Sequence, residues 1–133
     1  MLLLLFSRPH LIPFIIYATL ETLYISDRLD EDHTAHNKAN AYKHALWNIL
    51  IAYHIQFFYS KPSTAVTWAK KITDMHEKCF KNKPAAEAMD LANNEIGRNI
   101  YFTCYLEFEK KPKKEILLNR LMAEQDSFIF LTD

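Results

Sequence analysis

Apolar residues recur at helical spacing along most of the chain, and prolines and polar runs divide this periodicity into five segments. Positions three and four residues apart share one face of an α-helix, so each segment predicts a helix with a buried face. The predicted helices cover about residues 13–27, 37–59, 63–80, 84–108 and 114–125. Pro13 and Pro84 suit first helical turns, and the second helix must end before Pro62, because the residue preceding a proline avoids helical geometry. Ser63 is the predicted cap of the third helix.

The two ends of the chain depart from this periodicity. Residues 1–12 form an apolar arm that lacks a basic start, so no cleavable signal peptide is predicted. Arg8, two prolines and Glu21 make the first 25 residues a poor membrane span. We expect an arm leading into a core helix in which Glu21 requires a partner, and the alternative is contact with a membrane surface. Residues 127–132 are expected to lie on the bundle as an extended tail, and residues 27–33 to form a solvated acidic connector.

Composition narrows the fold class. The chain has 133 residues, a usual length for one domain, and half of them are hydrophobic. It contains a single glycine, Gly97. A β-sandwich or barrel needs many tight turns in which glycine adopts positive φ, so one glycine favours helices. We therefore predict an all-α, single-domain bundle of about five helices covering residues 1–133.

Charge and cysteine content bear on partners and redox state. Lys plus Arg and Asp plus Glu both total 16, which gives zero net charge with the histidines neutral. A nucleic-acid-binding protein normally carries a basic excess, so no nucleic-acid partner is expected. Cys79 and Cys104 have apolar neighbours in predicted helices. They are expected to be buried free thiols, and a single disulfide is the alternative.

The second predicted helix carries a row of polar residues inside an apolar segment. Asn40, His44 and Asn48 recur at steps of four, so they share one face. Their neighbours are alanine, tryptophan and isoleucine, which predicts that the row is buried. Burying a polar group without a partner costs a few kcal/mol, so these side chains should meet others. The alternative is a core histidine bonded to a backbone carbonyl, with Asn48 in a similar role.

The third predicted helix contributes His76 and Glu77. His76 lies in the middle of an apolar stripe, so its imidazole is expected to point inward. Glu77 lies about 100° further round the helix and is expected at the rim. The pair is not the zinc-protease motif His-Glu-x-x-His, because Phe80 occupies the last position. The alternative is a histidine bonded to a carbonyl near the helix end.

The fourth predicted helix has a polar face formed by Asp90, Asn93, Asn94 and Gly97. Asparagine and aspartate are poor helix-interior residues, and glycine costs about 1 kcal/mol there relative to alanine. Four such residues within two turns indicate a functional site. Arg98 is expected at its rim, where it would bind a phosphate or carboxylate group. The alternative is a helix–helix contact through Gly97, with Asn93 and Asn94 bonded across it.

Together these helices predict one site with metal or acid–base chemistry. Histidine and carboxylate ligands suit zinc or another divalent ion, and the predicted ligands are His44, His76 and Asp90. A carboxylate that is not a ligand would act as general base on a bound water, which makes His44, His76, Glu77 and Asp90 the predicted catalytic residues. The predicted substrate-binding residues are Asn40, Asn48, Asn93, Asn94 and Arg98. Without a metal, acid–base chemistry by either histidine with Asp90 is the alternative.

These residues also carry a resemblance to a family of largely uncharacterised bacterial proteins and toxin-associated domains. The family has an Asp/Asn-Ala-aromatic-Arg/Lys-His-Ala-x-Trp-Asn segment, then His-Glu, then Met-Asp-Leu-x-Asn-Asn-x-x-Gly. This chain matches these motifs at residues 40–48, 76–77 and 89–97. The family more often has aspartate at the first position of this segment, so the neutral Asn40 is less suited to act there as a charged ligand. The resemblance implies a shared site and an effector role in toxin-like architectures, and it implies no particular reaction.

The leading hypothesis is a small metal-assisted hydrolase acting on a lipid or lipid-linked phosphate. The apolar arm and the 14% aromatic content motivate the lipid substrate. As an effector, it would leave the bacterial cytoplasm, reach a target cell envelope and have a cognate immunity protein, with a lipid surface as its other partner. One alternative is a helical adaptor or immunity-type protein whose polar cluster is structural. Another is a membrane-disrupting toxin that uses residues 1–25.

Overall fold

The computed structural model describes residues 2–29 and 38–129, and every regular element in these ranges is helical. The α-helices are α1 (Leu2–Phe6), α2 (Ile12–Leu29), α3 (Lys38–Ile55), α4 (Pro62–Cys79), α5 (Pro84–Phe108) and α6 (Lys114–Ala123). Short 3₁₀ turns cover Pro9–Leu11, Gln56–Phe58 and Gln125–Ser127. The predicted all-α bundle is confirmed. None of the described helices is long and apolar enough to cross a membrane.

Most helix bounds differ from prediction by a few residues, for local reasons. The fourth predicted helix has the bounds of α5. The second ends earlier as an α-helix because the chain tightens into a 3₁₀ turn, where Gln56 donates to the Tyr59 and Lys61 carbonyls. The prediction that Ser63 caps the third helix is wrong. Lys61 is the cap residue, and Pro62 already occupies the first helical position, which suits its fixed φ.

The predicted apolar arm is helical and partly packed. Leu11 is buried, and Leu4 and Leu5 pack against the core, whereas Leu3 and Phe6 are exposed. The described part of the C-terminal tail lies on the bundle, since Phe128 has extended backbone and a buried side chain. The rest of the predicted tail, from residue 130, lies outside the described residues. So do residues 30–33 of the predicted connector, whose first three residues end α2.

Helix α3 is the centre of the bundle and contacts α2, α4, α5 and α6. From Ala45 onward it is apolar on nearly every side, and most of its side chains are fully buried, as at Ala45, Leu46, Ile49 and Leu50. Helix α5 approaches α3 closely at Gly97, where a Cβ would lie only 2.1 Å from the Ala45 carbonyl oxygen. The missing side chain of Gly97 therefore sets the spacing of the two helices.

Two further expectations concern single side chains. Glu21 does have partners, because His54 Nε2 lies 3.0 Å from one of its oxygens and Lys114 Nζ lies 2.6 Å from the other. These contacts connect α2, α3 and α6. Both cysteines are free thiols, and Cys104 is buried as predicted. The predicted burial of Cys79 is wrong, because it is the last residue of α4 and is exposed where the helix ends.

Candidate functional site

His44, Glu77 and Asp90 converge from α3, α4 and α5. The Nε2 atom of His44 lies 3.3 Å from Asp90 Oδ1, and its Nδ1 atom lies 3.8 Å from Glu77 Oε1. One ligand atom from each residue lies within 4.8 Å of the other two. All three side chains are buried, with relative exposures of 7%, 4% and 5%. An imidazole and two carboxylates are donors that suit a divalent metal ion, so this group can hold one.

The rotation of α4 reverses the predicted positions of His76 and Glu77. Glu77 is buried with His44, whereas His76 is half-buried and packs against Trp47 and Phe80 at centroid distances of 5.1 and 4.7 Å. His76 therefore lies outside the three-residue group, although it lines the same pocket. The physical reason is that the buried row of α4 consists of small and polar side chains at steps of four. The row contains Ala65, Ala69, Thr73 and Glu77.

The environment of Glu77 favours a proton or a cation beside its carboxylate. Burial raises the pKa of Glu77 to about 7, and the nearby charges of Asp90 and Glu87 act in the same direction. Its Oε1 atom is buried and has no hydrogen-bond partner among the described residues. The nearby Asn94 side chain opposes part of this rise in the pKa of Glu77. The Asn94 Nδ2 atom is also buried without a hydrogen-bond partner among the described residues. A shared cation would relieve both the burial and the repulsion.

Hydrogen bonds from α3 and α5 support this group. Asn40 Nδ2 donates to Asp90 Oδ1 at 3.4 Å, and His44 Nδ1 lies 3.3 Å from Asn94 Oδ1. Asn48 Nδ2 donates to Asn94 Oδ1 at 2.8 Å and to the His44 carbonyl at 2.9 Å. The predicted row of Asn40, His44 and Asn48 therefore faces Asp90 and Asn94 across the α3–α5 contact.

Of the five predicted substrate-binding residues only Asn40 lines the pocket; Asn48, Asn93, Asn94 and Arg98 do not. Arg98 is buried, 9% exposed, and donates to Asn48 Oδ1 at 2.9 Å, so its expected place at the substrate rim is corrected. It does not line the pocket that contains His44 and Asp90. Asn93 faces the C-terminal tail, where it bonds the backbone N–H and carbonyl of Ile129. Asn93 therefore holds the tail on the bundle.

A pocket of about 430 Å³ opens beside the three-residue group, between α2, α3, α4 and α5. Part of its wall is apolar and is formed by Leu23, Trp47 and Phe80. Trp47 Nε1 donates to Thr19 Oγ1 at 3.0 Å, which holds α2 against α3 at the pocket. The pocket thus places apolar surface beside buried acidic groups and an imidazole.

The pocket also contains a cation, Lys43, for which the sequence pattern predicted no role. Burial lowers the pKa of Lys43, and the charges of Asp90, Glu77 and Asp27 oppose this effect. Its place directly before His44 was the signal that could have identified it. Thr73, whose hydroxyl lies 3.1 Å from Asn48 Oδ1, was also missed. The signal that could have identified Thr73 was its position four residues before Glu77, on the same face of the helix.

Comparison with known proteins gives a family but no described relative. No curated protein and no solved structure matches the chain. A family model described as a domain of unknown function, DUF6973, matches residues 2–127. This match includes all the residues of the candidate site. The chain therefore belongs to the DUF6973 family of domains of unknown function.

Proposed function

We propose that this chain is a metal-assisted hydrolase in which His44, Glu77 and Asp90 hold one divalent ion. The observation that carries the proposal is the convergence of three buried ligand atoms, within 4.8 Å of one another, from three helices. The Glu77 Oε1 atom, which has no hydrogen-bond partner in the described part of the chain, supports it, because a buried carboxylate oxygen is costly without a cation or a donor. Zinc fits the mixed nitrogen and oxygen donors.

The other pocket residues have roles that follow from their charge. A bound divalent ion lowers the pKa of a coordinated water and polarises an ester oxygen. Burial, and then the charge of Lys43, lower the pKa of His76, so its imidazole is neutral at neutral pH and accepts a proton from the attacking water. Lys43 would bind an anionic oxygen of the substrate. Asn40 holds Asp90 in position through the bond between their side chains.

The substrate class we propose is a phosphate ester with an apolar portion, such as a lipid or lipid-linked phosphate. The apolar pocket wall continues through Leu23 onto the outer face of α2. That face exposes large apolar side chains, namely Ile16, Tyr17, Leu20, Leu23 and Tyr24. In the reaction, the water oxygen bonds to phosphorus and the ester P–O bond breaks. The proton taken by His76 then passes to the leaving alkoxide.

The test combines metal analysis with hydrolysis assays. The purified chain is loaded with zinc, manganese or magnesium and assayed on phosphate mono- and diesters with and without an acyl group. We expect one ion per chain and a loss of activity of about 100-fold or more in His44→Ala, Glu77→Gln and Asp90→Asn. Asn93→Ala, outside the pocket, is the matched control. The proposal would be contradicted if the chain bound no ion after loading, or if the three ligand variants kept full activity.

An effector role extends this proposal, and its support is the resemblance to toxin-associated domains. The test is expression in a bacterial host with and without export to the envelope. We expect growth arrest for the exported wild-type chain and normal growth for the exported Asp90→Asn variant. Equal arrest by both would instead favour membrane disruption by the apolar arm and α2. Coexpression with a cognate immunity protein should restore growth.

A second candidate is a helical adaptor whose polar cluster only fixes core packing. The bonds among Asn48, Thr73, Asn94 and Arg98 favour it, because each of them joins two buried side chains. An adaptor of this kind would show the same thermal stability with and without a chelator. A metal-dependent hydrolase would lose stability when the ion is removed.

A further inference from the structure

A row of buried side chains leads from Arg98 to His44. Arg98 Nη1 donates to Asn48 Oδ1 at 2.9 Å, and Asn48 Nδ2 donates to Asn94 Oδ1 at 2.8 Å. Asn94 Oδ1 in turn lies 3.3 Å from His44 Nδ1. The Asn48 Nδ2 group also donates to the His44 backbone carbonyl at 2.9 Å. The row therefore connects a guanidinium on α5 to an imidazole of the candidate metal group.

Asn48 can take only one amide orientation in this row. A guanidinium group donates and never accepts, whereas a backbone carbonyl accepts and never donates. Arg98 therefore requires the oxygen of Asn48 on its side, and the His44 carbonyl requires the nitrogen on the other. Thr73 also contacts Asn48 Oδ1, but a hydroxyl can donate or accept, and this one also bonds the Ala69 carbonyl at 2.9 Å. Arg98 thus fixes the orientation in a way that Thr73 cannot.

The orientation of Asn48 determines that of Asn94. The second hydrogen of Asn48 Nδ2 points at Asn94, so Asn94 must accept this hydrogen bond with its side-chain oxygen. The same oxygen faces His44 Nδ1. An amide oxygen cannot donate, so the proton must reside on His44 Nδ1. We infer that Arg98 and Asn48 are positioning residues that hold neutral His44 in its Nδ1–H tautomer, with the lone pair on Nε2.

This tautomer suits metal binding, and that part of the inference rests on the proposed function. Metal-binding histidines usually donate their second ring N–H to a fixed acceptor, which sets tautomer and ring orientation. Here the acceptor is Asn94, and Arg98 and Asn48 fix its orientation. The lone pair on Nε2 then lies 3.3 Å from Asp90 Oδ1, so two acceptors share a site that favours a cation. The tautomer can be tested in the ion-free chain, where Asn94 Oδ1 and Asp90 Oδ1 compete for the His44 proton from opposite sides of the ring.

The first experiment measures the tautomer directly in the metal-free, wild-type chain. Ring ¹⁵N chemical shifts of ¹⁵N-histidine-labelled protein are recorded at a pH where the imidazole of His44 is neutral, and His44→Gln assigns its signals. We expect a protonated Nδ1 and an unprotonated Nε2. A proton on Nε2 would overturn the inference, whatever the metal content. No variant other than the assignment control is needed for this result.

The second experiment reverses the orientation of the Asn94 amide. Asn48→Asp offers only acceptor oxygens, which Arg98 still pairs with, so Asn94 must turn its nitrogen toward position 48 and toward His44. We expect the His44 proton to move to Nε2 and zinc affinity to fall by about 10-fold or more. Asn93→Asp is the matched control, because it places the same charge at a buried α5 position that bonds Ile129 instead. It should leave the His44 tautomer unchanged.

The outcomes separate the two proposals. A tautomer change in Asn48→Asp without zinc binding in either protein would support the positioning role and defeat the metal-dependent function. A fall in zinc affinity with an unchanged tautomer would overturn the positioning role. Arg98→Met should allow both tautomers, and Arg98→Lys should restore Nδ1–H because an ammonium group also only donates. The same tautomer mixture in both Arg98 variants would contradict the role given to Arg98.

Discussion

Gly97 of α5 lies directly against the backbone of Ala45 on α3. A Cβ at position 97 would lie 2.1 Å from the Ala45 carbonyl oxygen and 2.8 Å from its Cα. The neighbouring atoms are backbone, so they cannot move aside as a flexible side chain would. His44 and Asn94 flank this contact, and the close approach of the helices is what places them 3.3 Å apart.

The variant Gly97→Ala should therefore destabilise the protein. At an exposed helix position this substitution would gain about 1 kcal/mol, because alanine is the better helix former. Here the helices must separate, and we expect the free energy of unfolding to fall by about 3 kcal/mol. Urea denaturation measures the change. Asn99→Ala, exposed on the same helix, is the control and should have little effect. A stabilised Gly97→Ala variant would contradict the helix contact.

Stability should depend on pH through Glu77. Burial raises the pKa of Glu77 to about 7 from its ordinary value of 4.5, so between these values the folded state binds more protons than the unfolded state. The free energy of unfolding of the metal-free protein should therefore be highest below about pH 4.5 as far as Glu77 contributes, and fall as the pH rises through 7. Denaturation across this pH range checks the sign. Glu77→Gln should remove this part of the pH dependence. A free energy of unfolding that rises with pH in the wild-type chain but not in Glu77→Gln would contradict the prediction.

On the proposed function, removing the divalent ion should lower the free energy of unfolding of the wild-type chain. A ligand that binds only the folded state stabilises it by about 2.7 kcal/mol at 100 times its Kd. We expect the Tm of zinc-loaded protein to fall when a chelator is added. The Tm of Asp90→Asn should change much less, because this variant lacks one of the three proposed ligands of the ion. Equal shifts in the two proteins would place the ion elsewhere.

Lys43 should contribute to substrate binding without holding the ion. We expect Lys43→Met to lower kcat/KM for an anionic ester by about 10-fold, the scale of one charge-assisted contact. Lys43→Arg should retain more activity, because the positive charge remains. Zinc binding, measured by calorimetry, should persist in both variants. Lys113→Met is the control at an exposed position. An unchanged kcat/KM in Lys43→Met would exclude a role of Lys43 in substrate binding.

Glu21 should stabilise the attachment of α2 and α6 to α3. Burial alone would raise the pKa of Glu21, but the contacts with Lys114 and His54 outweigh it, so its pKa is lowered overall. Its stabilising contribution should therefore be present above about pH 4.5 and disappear as the pH falls through its lowered pKa. At neutral pH we expect Glu21→Gln to cost about 1–2 kcal/mol in thermal or urea unfolding. Glu107→Gln, which affects an exposed pair with Arg120, should change little.

Much of the site could be predicted from spacing within single helices. The row of Asn40, His44 and Asn48 required only steps of four, and its burial followed from the apolar residues around it. The polar face of α5 was recognisable in the same way. The distinct roles of Asn93 and Asn94 were not predictable, because the first contacts the distant Ile129 and the second contacts α3.

Helix α4 shows where spacing fails. Its large residues, Trp68 and Phe80, suggested a buried stripe centred on His76, yet Trp68 is only half-buried and Phe80 is 63% exposed. The predicted stripe also included Ala65, Ala69 and Ile72, and these three are buried, because small side chains allow the helix to pack closely against the core. The large residues Trp68 and Phe80 therefore displaced the predicted centre of the buried face from Glu77 to His76.

The five longer helices, α2 to α6, and the polar residues within them could be predicted from the sequence alone, because helix periodicity and proline placement act over a few residues. The tertiary structure decided that Glu77, and not His76, joins His44 and Asp90. Adjacent residues on a helix differ by about 100° in direction, so the rotation of α4 in its packing selects one of them. It also decided that Arg98 turns toward Asn48, since that bond joins residues 50 positions apart in the chain.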